Sequence, residues 1–324
     1  MVNPFATSAI ALLLVCGCGL AHAATAEDPQ RRRFASLTFE NDFFVGFDRH
    51  YTNGIQLAFL TDIPQGLRDV PPFAWSADPD FVMAIGQRIF TPQNTDLVPP
   101  DPADRPYAGW LYLMADFRVR SGAVIDHLTA NVGLVGPSAR GRQVQNGIHG
   151  LLSQEPAHGW DAQISDELTL MLGYERAWRA VLDGRLGERR YDLSPRVSAT
   201  LGNVLTYASA GAVLRFGSEL PDDLPASHIS LGPPRDGYRG ASRFGWYLWT
   251  GVDARAVAHN MFLEGHAARD PGVERKPFGF DLQAGATLVW PSVRLGFAVV
   301  QRSREFHGQD KPDRFAQLSL SVGF

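Results

Sequence analysis

The chain has 324 residues, a formal net charge of −4 and no basic stripe able to neutralise phosphates, which argues against nucleic acid as a partner. Its 32 glycines and 11% aromatic residues suit β-structure with many turns, and the length fits one large all-β domain as well as two ordinary ones.

Taken in chain order, the first element is an apolar stretch, FATSAIALLLVCGCGLAHAA, that ends in the small-residue pattern Ala21-His22-Ala23. It reads as a secretory signal over residues 1–23, cleaved near Ala23 or Ala24, although no basic residue precedes it. The alternatives are a membrane anchor, for which the segment is short, and a lipoprotein attached through Cys18. Both cysteines, Cys16 and Cys18, lie inside this segment, so the mature chain 24–324 has neither disulfide nor thiol nucleophile. Export without cysteine fits a bacterial periplasmic or outer-membrane protein.

The mature chain holds no run of 18 or more apolar residues. Alternating segments recur instead, expected as strands over 36–44, 50–61, 80–91, 107–120, 125–136, 163–182, 189–203, 204–218, 242–258, 277–290, 293–306 and 315–324. Twelve is even, as a single-chain bacterial barrel requires. The expected fold is therefore an antiparallel transmembrane β-barrel of about twelve strands. A soluble sandwich also alternates, but it accounts less well for an export signal combined with a last strand that ends on Phe324.

Tyr107, Trp110, Trp246, Trp249 and Trp290 near strand ends suit an interfacial aromatic girdle. Connections 62–79 and 219–241 fall on the periplasmic side, where short turns are expected, so either those turns are unusual or the strand count is off by a pair. The connection 137–162 is extracellular by parity and carries a helical spacing (Val144, Ile148, Leu151, Leu152) that Pro156 would stop. Gln145 and His149 are four apart and share one face of that short helix.

Five stretches in order, FENDFF, YTNGI, DRPYAGWLY, GLVGPSARGRQVQNGIHGLL and GWDAQI, resemble the lipid A 3′-O-deacylase (LpxR-type) family of outer-membrane enzymes over about Leu37 to Ile164. The resemblance implies a twelve-stranded barrel with its active site between the barrel wall and an extracellular loop helix. It also implies Ca²⁺-dependent hydrolysis of the ester that holds the 3′ acyloxyacyl group, with lipid A of lipopolysaccharide in the outer leaflet as substrate. Carried over by motif, the implied site residues are Asn41, Asp42, Thr52 and His149, together with Glu155, six residues beyond that histidine. Gln145 joins them by its helix face, and Asp42 and Glu155 are the candidate cation ligands. The family's lysine after the third strand has no counterpart in TPQNTDLVPP, and Arg105 is the candidate to replace its charge.

The residue chemistry points the same way. No Gly-x-Ser-x-Gly elbow occurs, so a water activated by His149 is expected, with a hard cation to stabilise the oxyanion. On the first strand Asn41 shares the parity of Leu37 and Phe39, whereas Glu40 and Asp42 point to the lumen. A lipid-facing Asn must be covered, and a loop helix laid on the wall would cover it. A β-bulge there would remove this inference. Glu155 can join the site only if the helix ends or bends before Pro156. His158 is a marginal neighbour, and His50, His127, His228, His259, His266 and His307 are given no role. Competing functions are a non-enzymatic barrel, either a channel or a glycan binder, and an outer-membrane phospholipase.

Overall fold

The structure is a computed structural model that describes residues 33–42, 50–61, 63, 66, 80–151, 153–222, 224, 243–266 and 270–324. The expected signal segment, and Phe43 and Phe44 of the first motif, lie outside the described residues. Twelve strands form the wall: β1 (Phe34–Asn41), β2 (His50–Thr61), β3 (Asp80–Thr91), β4 (Ala108–Ser121), β5 (Val124–Val135), β6 (Glu167–Trp178), β7 (Arg189–Gly202), β8 (Leu205–Gly217), β9 (Gly245–Asn260), β10 (Phe278–Val289), β11 (Val293–Arg302) and β12 (Asp313–Gly323). Each pairs antiparallel with its neighbours in sequence, and β1 pairs with β12, so the sheet closes without an edge. A continuation of β6, Leu182–Leu186, pairs with the start of β7.

The strands match the twelve alternating segments, and the reason is period-2 burial. Ile55, Leu57 and Phe59 are exposed on the outside while Gln56 and Ala58 are buried inside. Strands β4–β5, β6–β7 and β10–β11 are joined tightly on the side of the chain termini, the last two through 187–188 and 290–292. Connections 62–79 and 218–244 on that same side are long, so the expectation of short periplasmic turns fails there while the strand count holds.

The lumen is filled by ion pairs. Arg196 meets Asp253 at 2.5 Å, Arg215 meets Asp192 at 2.6 Å, and Asp281 takes both Arg255 at 3.2 Å and Arg302 at 2.8 Å. Near the extracellular end Glu305 adds its carboxylate to Arg255 and Arg105. Burial alone would raise the Glu305 carboxyl, but the Arg302, Arg105 and Arg255 guanidiniums hold it below its ordinary range. A one-turn helix, α2 (Met261–Glu264), turns inward over this end, with Phe262 stacked on Phe90 at 4.2 Å. A lumen occupied in this way does not suit a general channel.

Two of the five expected girdle residues face outward. Trp246 and Trp290 lie outside near the periplasmic end, against Phe216 and Phe244 respectively. Trp110 and Trp249 instead point inward, and Trp110 stacks on Tyr112 at 4.1 Å while donating to Thr169 Oγ1 at 3.0 Å. Tyr107 is also fully buried, beneath the extracellular loop. Strand parity, not nearness to a strand end, decides which aromatic rings meet lipid.

Asp281 compensates two buried guanidiniums at once, and without its charge both are left to Glu305 alone. Asp281→Asn should cost about 3–5 kcal/mol, the usual penalty for breaking a buried pair. It should lower the temperature at which the folded, fast-migrating gel band converts to the unfolded one. Conversion at the wild-type temperature would show that these pairs do not hold the barrel.

Candidate active site

The site begins with a change of burial along the outer wall. Outward residues of the mid-wall are exposed, Met83 at 50%, Ile85 at 47% and Leu113 at 54%. One to three steps nearer the extracellular rim the outward residues Asn53, Gln87, Ile89 and Thr91 are buried, although they share that face. The loop 136–166 lies over Gln87, which donates to the Ala139 carbonyl at 2.6 Å, and over Ile89, which packs on Trp160. Its helix α1 (Gly141–Leu151) packs on β3 and β4, and only its face Gly141, Gln145 and His149 is buried.

Two glycines let the helix lie directly on the wall. A Cβ on Gly109 would be 3.0 Å from the Gly141 Cα, and one on Gly141 would be 2.7 Å from the Trp160 ring. The loop base is clamped where Gly136, at φ 105°, donates to the Gly109 carbonyl at 3.0 Å and Ser138 bonds the Asp166 carboxylate twice at 2.8 Å. Beyond the helix, the Asn146 carboxamide ties back the main chain of Ala157, accepting at 3.0 Å and donating at 3.4 Å.

Trp160, in the short turn Gly159–Ala162, is fully buried against Tyr107, Ile89 and Val144 and donates its indole N–H to Gln145 Oε1 at 2.7 Å. His149 Nδ1 lies 2.6 Å from the Glu155 main-chain oxygen. A carbonyl only accepts, so Nδ1 carries the hydrogen and Nε2 of the neutral ring keeps its lone pair.

The rim of β1–β3, at the same end of the wall, carries a second set of polar groups. Asn41 keeps regular pairing, opposite Asn53 on β2 and Ala316 on β12, and donates through Nδ2 to the Thr52 carbonyl at 2.8 Å. A bulge does occur, but between Tyr51 and Asn53 on β2, so the outward parity of Asn41 stands. It turns Tyr51 into the lumen, onto Glu40, and leaves Thr52 Oγ1 bonded to Thr91 Oγ1 at 2.8 Å. Asp42 follows at the strand end and is buried.

The sequence profile described as "Outer membrane protein LpxR" matches residues 9–324. The chain belongs to the LpxR family. LpxR from Salmonella typhimurium is similar in structure, with a TM-score of 0.75 at 19% identity, covering 90% of this chain and 100% of that one. The β domain of the Bordetella autotransporter BrkA follows at a TM-score of 0.45 and 8% identity, covering 90% of this chain and 99% of that one. No curated protein matches the sequence. LpxR membership makes the chain an outer-membrane hydrolase acting on acyl esters of lipid A.

Measured against the LpxR-type residues expected from the motifs, the structure brings Asn41 and Thr52 into one hydrogen-bonded corner and puts Gln145 and His149 on the buried face of α1. Helix α1 ends at Leu151 and the chain folds back, Gln154 N bonding the His149 carbonyl at 2.8 Å, so Glu155 does reach His149. It does so through its main chain, and its side chain is exposed. Arg105 does not replace the unmatched lysine. Its guanidinium lies on the luminal side, 4.9 Å over the Phe90 ring and paired with Glu305, because the loop after β3 turns it inward.

His158 is exposed. His50, given no role, is buried at the rim between Asp313 at 2.7 Å and Asp104 at 3.2 Å, where it fastens the loop after β3 to β12. Sequence reasoning missed Thr91, Asn53, Gln87 and Trp160. Asn53 and Trp160 stood inside the quoted motifs, and Thr91 is found only through its cross-strand position.

Gly141→Val should leave the barrel heat-modifiable, since the strands hydrogen-bond to one another, yet lift α1 from the wall. Limited proteolysis should then cut within 136–166 far faster than in wild type. A loop as resistant as wild type would show that the glycine contact is dispensable.

Proposed function

We propose that the protein is a lipid A 3′-O-deacylase that hydrolyses the ester holding the 3′ acyloxyacyl group with a water activated by His149. The observation that carries this reading is the tautomer of His149: with Nδ1–H given to the Glu155 carbonyl, Nε2 is the basic nitrogen, on a helix face turned to the wall. About 12 Å of helix rise separates Gly141 from His149. At roughly 4.8 Å per strand a helix of that length crossing the wall spans two to three strands, enough to reach from β4 to β2. A site on the outside of the barrel also matches a substrate that resides in the outer leaflet, since lipid A reaches it sideways without entering the lumen.

In this mechanism Nε2 takes a proton from water as its oxygen attacks the ester carbonyl carbon. The tetrahedral intermediate collapses with cleavage of the bond to the sugar 3′ oxygen, which leaves with the proton that His149 returns. The fatty acid departs as the carboxylic acid. Ser138 is engaged with Asp166 and not with a histidine, which speaks against a serine-nucleophile phospholipase.

The donor chemistry at the corner supports Ca²⁺. The Asn41 amide and the Thr52 and Thr91 hydroxyls there are oxygen donors, the buried Asp42 is the next residue along the chain, and among the described residues no group of three His, Cys, Asp or Glu side chains gathers as zinc would need. Asp42 with neutral oxygens would hold the ion, whereas Glu155, with its side chain exposed, is left out of the ligand set. Bound there, the cation would supply positive charge to a developing oxyanion.

His149→Ala should lower deacylation of purified lipid A per mole of folded barrel by about 10² to 10⁴, the contribution of a positioned general base. Asp42→Ala should be comparably damaging and His158→Ala mild. Near-normal turnover by the His149 variant would remove the base from the mechanism. Separately, excess chelator should abolish activity and added Ca²⁺ restore it; full activity in chelator would exclude the cation.

A further inference from the structure

We propose that Trp160 is a positioning residue for this hydrolysis: it fixes the Gln145 carboxamide so that its NH₂ group is presented as a hydrogen-bond donor to the ester carbonyl oxygen. This rests on the deacylase reading above and adds a donor that does not depend on a metal. An indole N–H can only donate, so the atom 2.7 Å from Trp160 Nε1 must be the amide oxygen of Gln145, and the other amide atom is the nitrogen. The two ends of the amide, usually ambiguous, are here assigned by chemistry.

Trp160 cannot easily yield. Its ring is 0% exposed, lies 4.9 Å from the Tyr107 ring and is packed with Ile89 and Ala157, and the missing Cβ of Gly141 gives it room. Gln145 is itself only 1% exposed, and its Nε2 is buried with no hydrogen-bond partner among the described residues. A buried donor left unsatisfied is costly, and in a native fold it calls for an explanation, an arriving acceptor being one. Gln145 stands one helical turn before His149 on the same buried face. An ester attacked from His149 Nε2 therefore has its carbonyl oxygen within reach of an amide one turn away. The acceptor that fits is an oxygen gaining negative charge, and a neutral preorganised donor serves it without adding a proton-transfer step.

Three variants test the assignment on full-length, detergent-folded protein with purified lipid A. Trp160→Phe keeps a ring but removes the N–H, so the amide can flip, and kcat should fall about tenfold with little change in KM. Gln145→Glu keeps the acceptor for Trp160 and nearly the same shape but has no NH₂, and kcat should fall by about 10² to 10³, as for loss of one oxyanion donor. The double variant Trp160→Phe/Gln145→Glu should be no slower than Gln145→Glu alone, because both act through one donor. A purely structural tryptophan would add its loss to that of Gln145.

Limited proteolysis of the loop accompanies each assay. If Trp160→Phe loosens the loop, Gln145→Glu decides alone, and wild-type kcat there overturns the proposal. Wild-type kcat in a protease-resistant Trp160→Phe barrel, or additive losses in the double variant, overturns it too. A wild-type protein that releases no acyl group would instead refute the deacylase reading.

Discussion

Everything that distinguishes this barrel from an inert one depends on the contact between Gly109 and Gly141, where a loop helix touches the outer wall backbone to backbone. A side chain on either residue would hold α1 away, since the Cβ positions fall 3.0 Å from the opposing Cα. With the helix seated, a polar part of the wall that lipid would not tolerate is covered. Gln87 faces outward at membrane-wall parity, and its bond to the Ala139 carbonyl under the loop compensates its burial, while Asn53 and Thr91 on the same face are buried as well. The same seating brings Trp160 against Ile89 and Tyr107, and through Trp160 fixes Gln145.

A second constraint separates the inside of the barrel from the outside. The lumen holds arginine–carboxylate pairs and is turned in upon by α2, so it serves stability and not passage. Charged groups near the extracellular rim are committed to it: Arg105 and Glu305 belong to the luminal network, and His50 bridges Asp104 and Asp313. The groups on the outward face under and beside the loop are mostly neutral, amides, hydroxyls and one imidazole. That division suits an enzyme whose substrate is a membrane lipid. The bulge on β2 is the device that sorts the two sides, sending Tyr51 inward to Glu40 and Thr52 to Thr91.

The sequence by itself determined the twelve-stranded barrel, the loop helix and the outward parity of Asn41. These follow from local rules: alternation of period two repeats within each strand, and helical spacing repeats within one turn. Five ordered motifs also sufficed to indicate the LpxR family. Only the tertiary structure decided that Tyr107 and Trp110 are buried and not lipid-facing, that Arg105 turns to the lumen, and that Glu155 meets His149 through its carbonyl. It alone paired Thr52 with Thr91 and Trp160 with Gln145. The reason is physical. Parity tells which face a side chain occupies, but what lies over that face is set by segments 15 to 39 residues away in the chain, whose docking depends on two glycines that carry no side-chain pattern to read.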